Sequence, residues 1–250
     1  MEKNAEQLRN VALIAHGGSG KTSLAEAILF NGKATSRLGK VDDGTSNLDC
    51  EPEEIKRKIT ISTAFHHCNW KKSFINLIDT PGDDNFLSDT KASLQAADGV
   101  IVVIDATDGV KIGTEKVWAF ADELKLPRII FINKLDKERA DFFRVLEESA
   151  KAFDFKPTPA FLPIGAEDKF EGLVDLIKMK AYRYKKDGSG NFESIDVPSE
   201  MQEMADEWRE NIVENIVEAN DALMEKYLEG EELTAKEIEE TFAQGVKSGT

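Results

Sequence analysis

The chain has 250 residues, 41% of them hydrophobic, which is enough for a sizeable core and excludes disorder as the default state. A formal charge of −15 argues against binding nucleic acid through a bulk basic surface. The two cysteines, Cys50 and Cys68, make neither a disulfide framework nor a metal-ligand pattern, and the longest apolar run, Gly99 to Ile104, is far short of the roughly 20 residues a membrane helix needs. The first residues, MEKNAEQLRN, are polar and do not read as a signal peptide, so a reducing cytoplasm is the expected compartment. Asn10 to Ala15 is a short apolar run, expected to be a strand that enters a Gly-rich turn, and Lys21 to Phe30 follows with a helical pattern. Gly32 to Lys58 is long, polar and aperiodic, the mark of a functional or mobile loop. Ile59 to Asn69 and Ser73 to Ile78 read as antiparallel strands around a turn at Asn69 to Lys72. Phe86 to Ala97 suits a helix, Gly99 to Ala106 a buried strand, Thr114 to Leu124 a helix and Arg128 to Asn133 another buried strand. Lys137 to Phe153 reads as one long amphipathic helix.

Lys156 to Pro163 holds three of the seven prolines and is taken as a boundary, giving domains over 1–158 and 159–250. Beyond it, Leu173 to Tyr184 and Phe192 to Val197 read as strands joined by a turn at Lys186 to Asn191, followed by acidic helices over Ser199 to Leu228 and Thr234 to Gly245. Residues 161–250 carry 22 acidic and 10 basic side chains, a net of −12, which leaves −3 on the first 160. The acidic helices read first as a solvated face. The strand–helix alternation of the first part implies an α/β fold, a mostly parallel sheet with helices on both faces, followed by an α+β subdomain.

Ala15, His16, Gly17, Gly18, Ser19, Gly20, Lys21, Thr22 and Ser23 read AHGGSGKTS between a strand and a helix, the setting of a phosphate-binding P-loop. Backbone N–H groups of such a loop and the helix N-terminus favour anions. Lys21 is expected to reach the β- and γ-phosphates, and the Thr22 hydroxyl to hold Mg²⁺. Ala15 stands where the P-loop pattern has its first glycine. Asp79, Thr80, Pro81 and Gly82 read DTPG at a strand end, where Asp79 can hold Mg²⁺ through water and the Gly82 N–H can meet a γ-phosphate. Asn133, Lys134 and Asp136 belong to NKLD at the end of another strand. The Asp136 carboxylate can accept from both N1–H and the exocyclic amine of guanine, a pair adenine lacks, so GTP and GDP are expected over ATP. Thr60, just after the long loop, is the expected Mg²⁺ ligand of a switch spanning Gly32 to Thr60. His16 is expected to support the loop. His66 and His67 are neighbours on a strand, face opposite sides, and cannot chelate one metal together.

In this order, AHxxxGKT, RxITI, DTPG and NKLD resemble the elongation factor G family of translational GTPases. Gly165 to Lys180 (GAEDKFEGLVDLIKMK) is similar to the start of the insert which that family carries in its GTPase domain. Lys58 replaces the glycine of the family's RGITI motif. The resemblance implies a P-loop fold with an insert subdomain, GTP/GDP and Mg²⁺ as cofactors, and the ribosome as partner. It also implies a contact of the insert with ribosomal stalk proteins, no membrane, and a monomer. It implies further that a fifth motif and a last strand lie beyond Thr250, so nucleotide binding is expected to be weaker here and Arg128 to Asn133 to be an open sheet edge. The catalytic set read from the resemblance is Lys21, Thr60, Gly82 and Asp83. Asp83 stands where the family has the histidine that positions water, and Gly17-Gly18 where it has Ile-Asp. Slow or differently triggered hydrolysis is therefore expected. A GTP-dependent binding switch, or a ribosome-protection or release factor of related architecture, are the alternatives.

Overall fold

The computed structural model describes residues 5–185, 189–218, 220–231 and 233–248. The chain forms two compact units that meet in sequence at Asn133/Lys134. In the first, seven-residue strands β1 (Leu8–Ile14), β3 (Ser73–Asp79) and β4 (Gly99–Asp105) and the six-residue β5 (Arg128–Asn133) run parallel, and β2 (Ala64–Trp70) is antiparallel to β3. The order is β2-β3-β1-β4-β5. Both faces of the central strands are buried, so they read as continuous apolar runs. Leu13 and Val103 share a core with Ala25 and Leu29 of α1 (Lys21–Asn31). Alternation turns Val100, Val102 and Ile104 to the other face, where α4 (Ile112–Glu123) lies against β1 and β4. A 3₁₀ turn, α3 (Leu87–Ser93) and a second 3₁₀ turn fill the span expected as one helix from Phe86 to Ala97. Among the described residues β5 pairs on one side only and is an edge, as expected.

The long polar loop is less irregular than its sequence suggested. α2 (Pro52–Arg57) lies inside it, with Pro at its first position and the Glu51 N–H donating to the Glu54 carboxylate at 3.1 Å. β2 starts at Ala64, not Ile59, because the preceding backbone is bonded elsewhere: Ile61 and Ser62 donate to Glu54, and Thr63 donates to Asp89.

In the second unit, β6 (Phe161–Ile164), β7 (Gly172–Asp175), β8 (Lys180–Tyr184) and β9 (Phe192–Ile195) form an antiparallel meander. β6 was not expected; Pro163 sits in it, on an edge strand where a missing N–H is tolerated. The turn expected at Lys186 to Asn191 has its first three residues, Lys186 to Gly188, outside the described residues. Helix α5 (Phe142–Phe153) precedes this sheet, and α6 (Gln202–Val217), α7 (Asp221–Leu228) and α8 (Ala235–Ser248) follow it in the region expected to be acidic and helical. Leu162, Val174, Leu176 and Ala181 of the sheet region share a core with Ala205, Ile212 and Ile238 of the helices. The Arg209 guanidinium ties α6 to the carbonyls of Leu176 and Ile177 at 2.7 and 2.6 Å.

Further expectations need correction. Leu173 to Tyr184 is not one strand but the antiparallel pair β7 and β8. α5 begins at Phe142 rather than Lys137, because Asp141 caps it by accepting from the Arg144 N–H at 3.0 Å, while 134–140 forms turns. The expected helix over Ser199 to Leu228 is broken after Val217, and Asn220 starts α7 by accepting from the Leu223 N–H. The compact units also divide before α5 rather than near residue 158. The reason is local: Phe142 packs on the second core and Phe143 stacks on Trp208.

Candidate functional site

β1, β3, β4 and β5 of the first unit run parallel, so their carboxyl ends lie on one side, the end at which open α/β sheets bind ligands. β1 delivers the loop 15–20 to that end, and Gly18 and Gly20 take left-handed φ values of 82° and 93°. These conformations disfavour side chains and let the loop turn into α1. Ser19 is fully buried, and its carbonyl accepts from the Asn133 side-chain amide at 2.9 Å, which braces the loop from the end of β5. Ser23 is exposed.

Lys21 is 5% exposed. Its Nζ lies 3.5 Å from the Ala15 carbonyl and 3.3 Å from that of His16. Burial pushes its ammonium down to about 8, with Asp79 and Asp49 pulling the other way. A buried cation held by two long contacts to carbonyls is poised for an anion. Gly82 crosses directly beside it, and a Cβ there would overlap Nζ and the His16 backbone. Two threonines, one just past the end of β3 and one in α3, fix this crossing: Thr80 donates to the Leu13 carbonyl at 2.7 Å, and Thr90 to that of Pro81 at 2.7 Å.

The three residues expected to hold Mg²⁺ come together. Thr22 donates to Asp79 Oδ2 at 2.6 Å, and its hydroxyl lies 3.0 Å from that of Thr60. A fourth residue, not singled out from sequence, joins them: Thr60 donates to Asp49 Oδ1 at 2.9 Å. Asp79 Oδ1 and Asp49 Oδ2 are buried without a hydrogen-bond partner. Burial raises both carboxyls, Asp79 to about 7, against the Thr22 hydrogen bond and Lys21. Two hydroxyls and two carboxylates, with two oxygens unsatisfied, are the hard oxygen donors that suit Mg²⁺. The donor set therefore fits the ion.

His16 is buried, with Nδ1 3.0 Å from the Thr114 hydroxyl, which also receives the Lys111 N–H. Burial, with Lys111 and Lys21, pushes the imidazole down to about 4, so it is neutral at pH 7. It joins the P-loop to the start of α4.

The far side of the P-loop is different. A cleft of about 700 Å³ is lined by His16, Gly17, Gly82, Asp83 and residues Val110 to Gly113 at the start of α4. Asp83 does not reach toward Lys21; its carboxylate accepts from the Asn85 backbone N–H at 2.9 Å and side-chain amide at 2.7 Å. A Cβ on Gly18 would touch nothing within 4 Å, so neither Gly17 nor Gly18 places a side chain over this cleft.

Of the motif expected to recognise the base, Asn133 belongs to the first unit, and Lys134 and Asp136 to the second. Lys134 has a left-handed φ of 63°, and its carbonyl accepts from the Lys137 N–H at 3.1 Å. This turn carries Asp136, whose exposed carboxylate lies 3.5 Å from the Lys137 ammonium. Among the described residues, no cluster of three His, Cys, Asp or Glu side chains could hold a metal, and no helix is long and apolar enough to cross a membrane.

Residues 6–242 match the family model of the elongation factor Tu GTP-binding domain. The elongation factor G of Aquifex pyrophilus is 43% identical over 238 residues, which cover 93% of this chain and 34% of that protein. A crystal structure from Thermus thermophilus superposes with a TM-score of 0.89 at 37% identity, covering 97% of this chain and 36% of that one. The chain thus spans about a third of the length of each of these two relatives.

Proposed function

Because this chain belongs to the elongation factor Tu GTP-binding domain family, we propose that it binds GTP and GDP with Mg²⁺ and serves as the nucleotide switch of an elongation-factor-G-type GTPase acting on the ribosome. One observation carries the reading: a buried Lys21 ammonium, held by two long contacts to carbonyls, stands beside a Thr22–Thr60–Asp79–Asp49 cluster that has two unsatisfied oxygens. Lys21 and the loop N–H groups would hold the phosphates. Thr22, Thr60 and Asp79 would hold Mg²⁺, with Asp49 behind Thr60. The ion would neutralise charge on the transferred phosphoryl group. Asn133, Lys134 and Asp136 would select guanine. Cytoplasmic action and a contact of the acidic second unit with ribosomal stalk proteins belong to the same reading. Equilibrium titration with fluorescent GTP, GDP and ATP tests it. Guanine nucleotides are expected to outbind ATP by about a thousandfold or more, and Asp136→Ala to remove that preference. Equal affinity for ATP would sink the reading.

A second reading is favoured by the cleft beyond Gly82. The Asp83 carboxylate is engaged with Asn85, and an anion near a γ-phosphate neither donates a hydrogen bond nor is attracted. On this reading the chain is a GTP-dependent binding switch whose hydrolysis is slow. Single-turnover phosphate release, with and without ribosomes, separates the two.

A further inference from the structure

We infer that Glu26 is a positioning residue for the nucleotide reaction: it latches residues 46–48 onto α1 and so sets Asp49 and Thr60 against Thr22. The inference rests on the nucleotide reading above and adds to it a residue which no motif contains. Glu26 is fully buried, one helical turn after Thr22 on the same face of α1. Its Oε1 accepts from the Ser46 hydroxyl at 2.7 Å, from the Asn47 N–H, and from the Leu48 N–H at 3.2 Å. Its Oε2 accepts from the Asn47 side-chain amide at 2.8 Å. One short segment of the aperiodic loop thus supplies every one of these donors, and all are neutral.

A buried carboxylate without a cation is tolerated only while its hydrogen bonds are complete. The latch is therefore cooperative: losing the loop strands a charge inside the protein. The fit is close on a second side as well, because a Cβ on Gly39 would overlap the carboxylate. Leu48 then enters the core beside Leu29, Cys68 and Leu77. Asp49, the next residue, accepts from Thr60, and Thr60 meets Thr22. The path leaves α1 at Glu26 and returns to it at Thr22.

A carboxylate that merely helped the fold would support every liganded state alike. A latch that places Thr60 matters most in the state that uses Thr60, the one with a third phosphate. In Glu26→Gln the side chain keeps its size but turns an –NH₂ toward donors. The test is Mg²⁺ titration of the purified chain with a fluorescent, non-hydrolysable GTP analogue and, separately, with fluorescent GDP. Losing charge-assisted bonds is expected to weaken the Mg²⁺-dependent binding of the GTP analogue by about tenfold or more, and that of GDP by less than about threefold. The loop-side variant Ser46→Ala/Asn47→Ala is expected to show the same split without altering α1, and Glu26→Asp an intermediate one. The triple combination with Glu26→Gln should lose no more than the larger of its parts. Equal losses for both nucleotides, or none, would overturn the inference. If the unaltered chain binds neither nucleotide, the functional reading itself falls and this one with it.

Discussion

The two sides of the P-loop are built to different standards. On the metal side, Thr22, Thr60, Asp79 and Asp49 are buried, mutually bonded and tied through Glu26 and Glu54 to helices. On the side proposed to be hydrolytic, two glycines, an Asp83 bonded to its own turn and a cleft of about 700 Å³ stand where positioned groups would be needed. Preorganised contacts support binding, whereas turnover needs a donor aimed at the attacking water. Under the proposed function, the contrast argues that affinity for the nucleotide and speed of hydrolysis are separable, so that a change on one side should leave the other nearly untouched.

The largest effect belongs to Lys21. Replacing it with Met removes the buried ammonium at the loop, at a cost of at least two charge-assisted bonds, about 3–6 kcal/mol or more than a hundredfold in affinity for GTP and GDP alike. Isothermal titration reads this directly. An affinity within about threefold of the original would mean that the phosphates bind elsewhere. Asp83→His comes next and addresses the other side. A neutral donor in the cleft is expected to speed single-turnover hydrolysis on ribosomes by on the order of a hundredfold, with GTP affinity changed by less than about threefold. If the unaltered chain already hydrolyses at the rate of the variant, the hydrolytic side is complete and the contrast is broken.

How much of this was legible beforehand follows from where each signal is stored. The P-loop, DTPG and NKLD are local strings at strand ends, so residue type and order were enough to single out Lys21, Thr22, Asp79 and Asn133 as candidates, and the fold sets them at the carboxyl end of the sheet. Asp49 and Glu26 carry no such string. Both act by tertiary burial, one in an aperiodic loop rich in other acids and one on the face of a helix whose apolar residues draw the eye. α2 did have a readable start, Glu51-Pro52 with Glu54 two residues on, but its six residues are too short for periodicity to register. The extension of α5 back to Lys137 rested on an amphipathic reading of the whole stretch, which passed over the cap at Asp141. The edge at β5 was expected from the family resemblance, not from the residues of the strand itself.

The metal side also makes a pH prediction. Lys21 is held at about 8 in the fold, below its ordinary 10.5, so the unfolded chain binds more protons between those values. Stability of the nucleotide-free chain should therefore rise with pH from about 8 to 10.5, by on the order of 3 kcal/mol. Asp79 works in the opposite sense: raised to about 7 by burial, it costs stability as pH climbs from the ordinary carboxylate range to 7. The two together place a minimum near pH 7–8. Urea midpoints across pH should show it, Lys21→Met should flatten the alkaline rise, and saturation with GTP and Mg²⁺ should shrink both slopes. A flat profile in the nucleotide-free chain would show that these groups are better solvated than the packing implies.

The smallest effect tests the arm that carries Thr60. Lys58 ends α2 with a left-handed φ of 56°, its N–H donating to the Glu54 carbonyl at 2.7 Å. A side chain in that region costs about 1–2 kcal/mol, and glycine there gives back part of the gain because the unfolded chain becomes more flexible, by roughly 0.5–1 kcal/mol. Lys58→Gly is thus expected to raise stability by about 0.5 kcal/mol, and Lys58→Val, which is stiff at Cβ, to lower it by about 1 kcal/mol or more. The strain lies two residues from the Thr60 hydroxyl, so the same variants ask whether it is used. If Lys58→Gly stabilises the chain without changing Mg²⁺-dependent GTP binding, the left-handed turn is only a helix end. If the gain in stability comes with a loss of that binding, the strained lysine is what holds Thr60 in register with Thr22, and the metal side owes its order to the turn as well as to its carboxylates.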